Sequence, residues 1–191
     1  MFLKQLSKEK RNILELLWRM NRPVDLEKIV QETGLKTRSI IVHLSTLKKM
    51  GYVSMTDEGL YSVTDKGKEA LGLSKIDRDL AIRLLSKVPQ ERAFHFYIEV
   101  DKPLMVSADS LTDFYEKIQN IDVKSIEFHT LRRDFELWIH FLGDVELAKR
   151  LRAFRESNLT GEELRRKIYE AVKSRCEELQ RIVSSPLKAQ S

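Results

Sequence analysis

Residues 34–53 constrain this chain more than any other stretch, because two glycine stops bracket one amphipathic helix and extended chain follows the second. Gly34 supplies the open or left-handed backbone that ends a preceding helix. Leu35 then plugs the turn, and Ile40, Leu44 and Leu47 recur at i, i+4 and i+7, so one face of the new helix is apolar. Gly51 stops that helix, and Tyr52 and Val53 open an extended segment. The helical wheel puts Arg38, Val42, Ser45 and Lys49 on the opposite face. No acidic residue occurs from Thr33 to Thr56, whereas Lys36, Arg38, Lys48 and Lys49 are cationic. A turn, then a helix anchored on one side and basic on the other, is the second half of a helix-turn-helix. Such a helix suits a DNA major groove.

The flanking sequence completes the pattern. Ser7 caps a first helix to about Met20, with Ile13, Leu14, Leu17 and Met20 facing inward. Asn21, Arg22 and Pro23 break it. Val24 makes a short strand contact, and Asp25 caps a second helix carrying Leu26, Ile29 and Val30. After the basic helix come a strand over 52–55, a turn at Asp57, Glu58 and Gly59, and a strand over 60–63. Thr64 caps a short helix over 65–71. With residues 35–53, and with Tyr61, Val63, Thr64 and Gly67 fitting a recurring Tyr-x-Leu-Thr-x-x-Gly pattern (Val63 in the Leu slot), residues 6–73 resemble the winged-helix domains of small prokaryotic transcription regulators of the MarR and ArsR kind. The resemblance implies a winged helix-turn-helix over residues 1–73 and double-stranded DNA as its partner. Winged helices also serve as protein-binding modules, which is the competing expectation.

The expected DNA contacts are Lys36, Thr37, Arg38, Ser39, Val42, Ser45, Thr46, Lys48 and Lys49. The cations reach phosphates or base edges, the hydroxyls bond either, and Val42 with its neighbour Ile41 offers apolar contact. Asp57 and Glu58 at the wing tip repel a phosphate backbone, so the wing is expected to contribute little. His43, beside the apolar stripe, reads as a packed histidine satisfied by one hydrogen bond. The net charge of +5 is unevenly spread: residues 1–73 carry 13 Lys and Arg against 9 Asp and Glu, and residues 74–191 carry 21 against 20. The surplus sits with the candidate DNA reader, where phosphate attraction uses it.

A boundary is expected at Gly72, Leu73 and Ser74, with residues 74–91 a linker containing a connecting helix over 76–88 that Pro89 ends. Residues 92–191 are expected to form a mostly helical α+β domain. Its strand over 93–100 alternates Phe94, Phe96, Ile98 and Val100 with His95, Tyr97 and Glu99, and Pro103 ends it. Helices follow: one capped by Ser110 with Asp113 to about Gln119, one over 123–131, one over 135–142 capped by Asp134, one over 145–155, and a last one to about Val183 from a Thr160 and Glu163 capping box. Residues 184–191 form a terminal tail. Residues 107–118 (with Ser110, Leu111 and Phe114 as a Ser-Leu-x-x-Phe helix start), 125–129, 133–139 and 143–148 resemble a domain of unknown function found in archaea and some bacteria, over about residues 92–183. That resemblance implies an archaeal setting and brings no activity with it.

His129, Asp134 and His140 are the one cluster in this half with ligand or acid–base chemistry, but their spacing does not share a helix face, and they read as structural. Phe94, Phe96, Phe114, Tyr115, Phe128, Phe135, Trp138, Phe141 and Phe154 read as core, with a small-ligand pocket among them the alternative. Leu164, Ile168, Val172, Cys176, Leu179 and Val183 form a stripe long enough to cover the domain and pair with a second copy. Cys176, the lone cysteine, reads as a small hydrophobe, which excludes an internal disulfide. No P-loop, dinucleotide fingerprint, nucleophile elbow or zinc motif occurs, so no enzyme, cofactor or metal is expected. No signal sequence or membrane span is apparent, so the expected setting is cytoplasmic. The expected whole is a mainly α protein with small β: a DNA-binding regulator, homodimeric, whose C-terminal domain dimerises or senses a small-molecule or protein effector.

Overall fold

The computed structural model describes residues 6–73 and 75–185. Ser7 accepts a hydrogen bond from the Lys10 N–H and starts α1 (Lys8–Met20), which buries Ile13, Leu14, Leu16 and Leu17 and leaves Met20 half-buried. Asn21, in the left-handed region at φ 52°, ends it. Asp25 caps α2 (Leu26–Thr33) through the Lys28 N–H, and Gly34 at φ 65° turns the chain into α3 (Thr37–Lys49). On α3, Ile40, Leu44 and Leu47 are buried against α1, α2 and β1 (Val53–Met55). Gly51 at φ 74° donates to the Lys48 carbonyl and Tyr52 donates to that of Leu47, a Schellman ending that delivers Tyr52 into the core.

β1 pairs antiparallel with β2 (Tyr61–Val63), Val53 opposite Val63 and Met55 opposite Tyr61. Val24 adds a bridge to Tyr61, each donating its N–H to the other's carbonyl. Helix, strand contact, helix, helix, hairpin is the order of a winged helix-turn-helix. The Tyr61 to Gly67 pattern has a physical cause. Thr64 Oγ1 donates to the Gly51 carbonyl and accepts from the Gly67 N–H, so it ties the end of α3 to the start of α4 (Asp65–Ala70). A Cβ on Gly67 would stand 2.2 Å from the Tyr52 carbonyl oxygen and 2.8 Å from Val63 Cγ2, so only glycine fits.

The chain divides into two units, Met1–Lys75 and Ile76–Ser191, each with its own hydrophobic core. In the second unit the helix expected over 76–88 is shorter: α5 (Arg78–Leu85), capped by Asp77, which buries Ala81 and Leu84 in that unit's core. Ser74 lies outside the described residues, as does the expected tail from residue 186 onward; Ser184 closes the last helix. A short 3-10 turn (Gln90–Arg92) leads into β3 (Phe94–Glu99).

Pro103 does not end the β structure, contrary to expectation. It lies inside a second strand, β4 (Lys102–Ala108), antiparallel to β3, with Asp101 at φ 63° in the tight turn between them. In a two-stranded ribbon each strand has a free edge, where a missing N–H costs no ladder bond. Val100 therefore falls in the turn and is 65% exposed, not inward.

α6 (Leu111–Ile118), α7 (Val123–Leu131), α8 (Asp134–Leu142), α9 (Val145–Glu156) and the 24-residue α10 (Gly161–Ser184) follow. Ser110 caps α6 as expected, accepting from the Asp113 N–H, while the Asp113 carboxylate reaches one residue further back than a capping box requires and accepts from the Asp109 N–H. Two other caps differ from expectation. Arg133, left-handed at φ 68°, precedes α8, and Asp134 is its first helical residue, turned to other partners. Thr160 makes no side-chain cap on α10; Glu127 takes the Gly161 N–H at 2.7 Å instead.

α10 packs on α5, α6, α7 and α9, burying Leu164, Ile168, Val172, Cys176 and Leu179, with Val183 half-buried. The stripe is thus used within its own unit. Burial pushes the Cys176 thiol up to about 11, the value of an inert small hydrophobe. On the same helix, buried Arg175 forks onto fully buried Asp144 (2.7 and 2.9 Å) and reaches Glu146 and Glu178. Burial works against its charge, but these carboxylates more than offset that and raise its pKa.

Among the aromatics, Phe94, Phe96, Phe114 and Phe135 form the centre of the core, with ring centroids 4.9–6.4 Å apart, and Tyr115, Trp138 and Phe154 pack at its edge. Phe128 is half-buried. Phe141 is not core: it is 68% exposed, with the Arg92 guanidinium 5.1 Å over its ring.

Candidate functional site

α3 carries the candidate interface. Its first turn has no side-chain cap, which leaves the helix N-terminal N–H groups without a side-chain acceptor. Lys36, Thr37, Arg38, Val42, Ser45, Lys48 and Lys49 are exposed, and Ser39 and Thr46 are half-buried. Two of the hydroxyls are engaged on the helix itself. Ser39 Oγ lies 3.2 Å from His43 Nε2, the one hydrogen bond expected of that histidine, and Thr46 Oγ1 donates to the Val42 carbonyl at 2.9 Å. Lys48 Nζ rests 3.7 Å from Met55 Sδ on β1. Arg38 and Lys49 form no ion pair among the described residues, so their charges face solvent uncompensated. The wing turn exposes Asp57 and Glu58. Ile41 is 50% and Val42 58% exposed, so the basic face has an apolar centre.

In the second unit the structure brings His129 and Asp134 together and leaves His140 exposed in the last turn of α8. His129 is buried, with its ring among Phe94, Phe96 and Phe135. The Tyr97 N–H donates to Nε2 at 2.8 Å, so the proton sits on Nδ1 and is donated to Asp134 Oδ2, also at 2.8 Å. Burial lowers the imidazole pKa, and the opposing pull of Asp134 does not restore it. Both nitrogens are committed to protein partners, so the ring offers neither a free base nor a metal-binding lone pair. Among the described residues no group of three or more His, Cys, Asp or Glu side chains is placed to hold a metal ion.

An open cleft of about 350 Å³ adjoins this pair, lined by Tyr97, Glu99 and Asp101 on the ribbon and by Phe128, Arg132 and Asp134 on the helical side. Arg132 stacks 5.1 Å over Phe128 while its Nε donates to Asp134 at 3.2 Å. Sequence reasoning missed this grouping. Its one local signal is Phe128 on α7 and Arg132 at its C-terminal cap, spaced i, i+4; the rest depends on the unforeseen β3–β4 turn.

A family described as a family of unknown function (DUF5752) matches residues 68–173. The chain belongs to that family. The match includes every segment from Ser107 to Ala148 that carried the sequence resemblance in the second half, and with it the His129–Asp134 pair and the cleft. The DUF5752 region begins at Lys68, so α1, α2, α3 and the β1–β2 hairpin lie outside it. No curated protein and no solved structure matches the chain. No helix among the described residues is long and apolar enough to cross a membrane.

Proposed function

We propose that the protein is a DNA-binding transcriptional regulator that reads double-stranded DNA with α3 and is not an enzyme. The observation that carries this reading is the division of α3. Ile40, Leu44 and Leu47 are fully buried, while Arg38, Val42, Ser45 and Lys49 face solvent on a segment without one acidic side chain between Thr33 and Thr56. α3 enters a major groove, Lys36, Lys48 and Lys49 hold phosphates, and Arg38 reaches a base edge. A cytoplasmic homodimer sets two such helices in successive grooves, and the DUF5752 region serves dimerisation or effector sensing.

Binding of the purified protein to random-sequence and own-promoter duplexes at two salt concentrations tests this. Affinity is expected to fall steeply with salt, and Arg38→Ala to weaken binding about tenfold or more at low salt, as removal of a base-reading side chain does. A flat salt response sinks the mechanism.

The exposure of Ile41 and Val42 favours one second reading, an interaction module that docks a protein and ignores DNA. It calls for salt-insensitive association with a protein partner, abolished by Val42→Asp.

A further inference from the structure

Building on that DNA-binding reading, we infer that Ile41 and Val42 make α3 a reader of the thymine 5-methyl group, which sets the specificity of the interface. They are 50% and 58% exposed and adjacent midway along α3, Val42 on its outward face and Ile41 on the flank of that face. Solvent exposure of two β-branched apolar side chains among exposed positions of α3 that are otherwise Lys, Arg, Ser and Thr brings nothing to folding. The hydroxyls able to compete for base edges there are partly spent, since Ser39 pairs with His43 and Thr46 bonds the Val42 carbonyl. Thr37, Arg38 and Ser45 remain for polar contacts.

In the major groove the one apolar substituent that a base edge presents is the thymine C5-methyl; apart from the small C5–H of cytosine, the features facing a side chain there are donors and acceptors. An apolar side chain pressed against those groups leaves them unpaired and desolvated. Ile41 and Val42 therefore favour thymine and also exclude alternatives. Val and Ile on a helix hold essentially one χ1 rotamer, so their methyl groups meet the groove with little entropy to lose. Charge complementarity selects DNA as the occupant of this face. The apolar pair is flanked by Lys36, Arg38, Lys48 and Lys49, with no carboxylate between Thr33 and Thr56. Arg38 and Val42 stand one turn apart, about 6 Å along the axis, or under two base-pair steps of roughly 3.4 Å. The half-site accordingly holds a guanine for Arg38 within about two base pairs of the thymine.

The test uses duplexes enriched from a random pool by binding to the full-length protein, then amplified in parallel with thymidine or deoxyuridine triphosphate. Uracil keeps every hydrogen bond of thymine and lacks only the methyl group. The deoxyuridine duplexes are expected to bind about fourfold more weakly for each methyl group removed from the interface. The double variant Ile41→Ala, Val42→Ala is expected to bind both sets alike, and exposure of both side chains keeps that variant folded. Equal binding of the two sets by the unmodified protein overturns the inference, and so does a thymine preference that survives in the double variant. Absence of binding to either set at low salt overturns the DNA-binding reading itself and leaves the apolar pair to a protein partner.

Discussion

His129 shows how one side chain can pass for a catalytic group and serve the fold. Its ring joins three parts of the second unit: β3 through the Tyr97 N–H, the start of α8 through Asp134, and the aromatic core through Phe94. Protonation of Nε2 would set an N–H against the Tyr97 N–H, so the fold holds the ring neutral, and burial lowers its pKa below the ordinary 6.5. The sign of the pH effect follows. In the unfolded chain the imidazole gains its proton as pH falls through about 6.5; in the fold it resists until a lower pH. Stability is full above 6.5 and declines as pH drops from there toward the folded-state value, by up to about 1.4 kcal/mol per pH unit. Urea unfolding at pH 7.5 and 5.5 checks this. His129→Gln, neutral throughout, is expected to be less stable at pH 7.5 and to show a flatter pH response. An unchanged pH slope in that variant removes the assignment.

At the level of elements, sequence and structure agree where a local signal was sufficient. Ser7, Asp25, Thr64 and Ser110 cap the helices expected of them, and Gly34 and Gly51 adopt the left-handed conformations that bound α3. Two of the misses share a cause: a partner from another helix took the place of the local cap. Asp134 answers His129 rather than its own helix, Glu127 replaces Thr160 at the start of α10, and Pro103 is tolerated in β4 because that ribbon edge is unpaired. The candidate interface was legible for the same reason that α3 was, since its face follows from periodicity alone. The cleft beside Arg132 was not, because the β3–β4 turn that walls it was unforeseen. Gly67 turns the lesson into a prediction. Alanine is the better helix former by about 1 kcal/mol, yet its Cβ would overlap the Tyr52 carbonyl. Gly67→Ala is expected to destabilise the first unit by about 1–3 kcal/mol net, because backbone must move to admit the methyl. Thermal melting reads this directly, and an unaltered midpoint would mean that α4 does not press on the end of α3.

For the whole molecule, charge distribution makes the proposed stoichiometry measurable. The net +5 is concentrated in residues 1–73, and on the outward side of α3 it reduces to Lys36, Arg38, Lys48 and Lys49. The wing adds no cation to that face, since its turn presents Asp57 and Glu58. If each of the three phosphate-holding lysines displaces one counterion from B-form DNA, while Arg38 is spent on a base edge, one copy gives a slope of log affinity against log salt of about −2.7, and two copies give about −5.4. A homodimer gripping two half-sites therefore separates from a lone module by slope alone. Lys49→Gln should flatten the slope by about one in the first case and about two in the second. Sedimentation of the same complex supplies the mass independently. A slope of about −2.7 with one copy bound would leave the second unit free for effector sensing alone, and a slope of about −5.4 with two copies would assign it the pairing of the DNA readers.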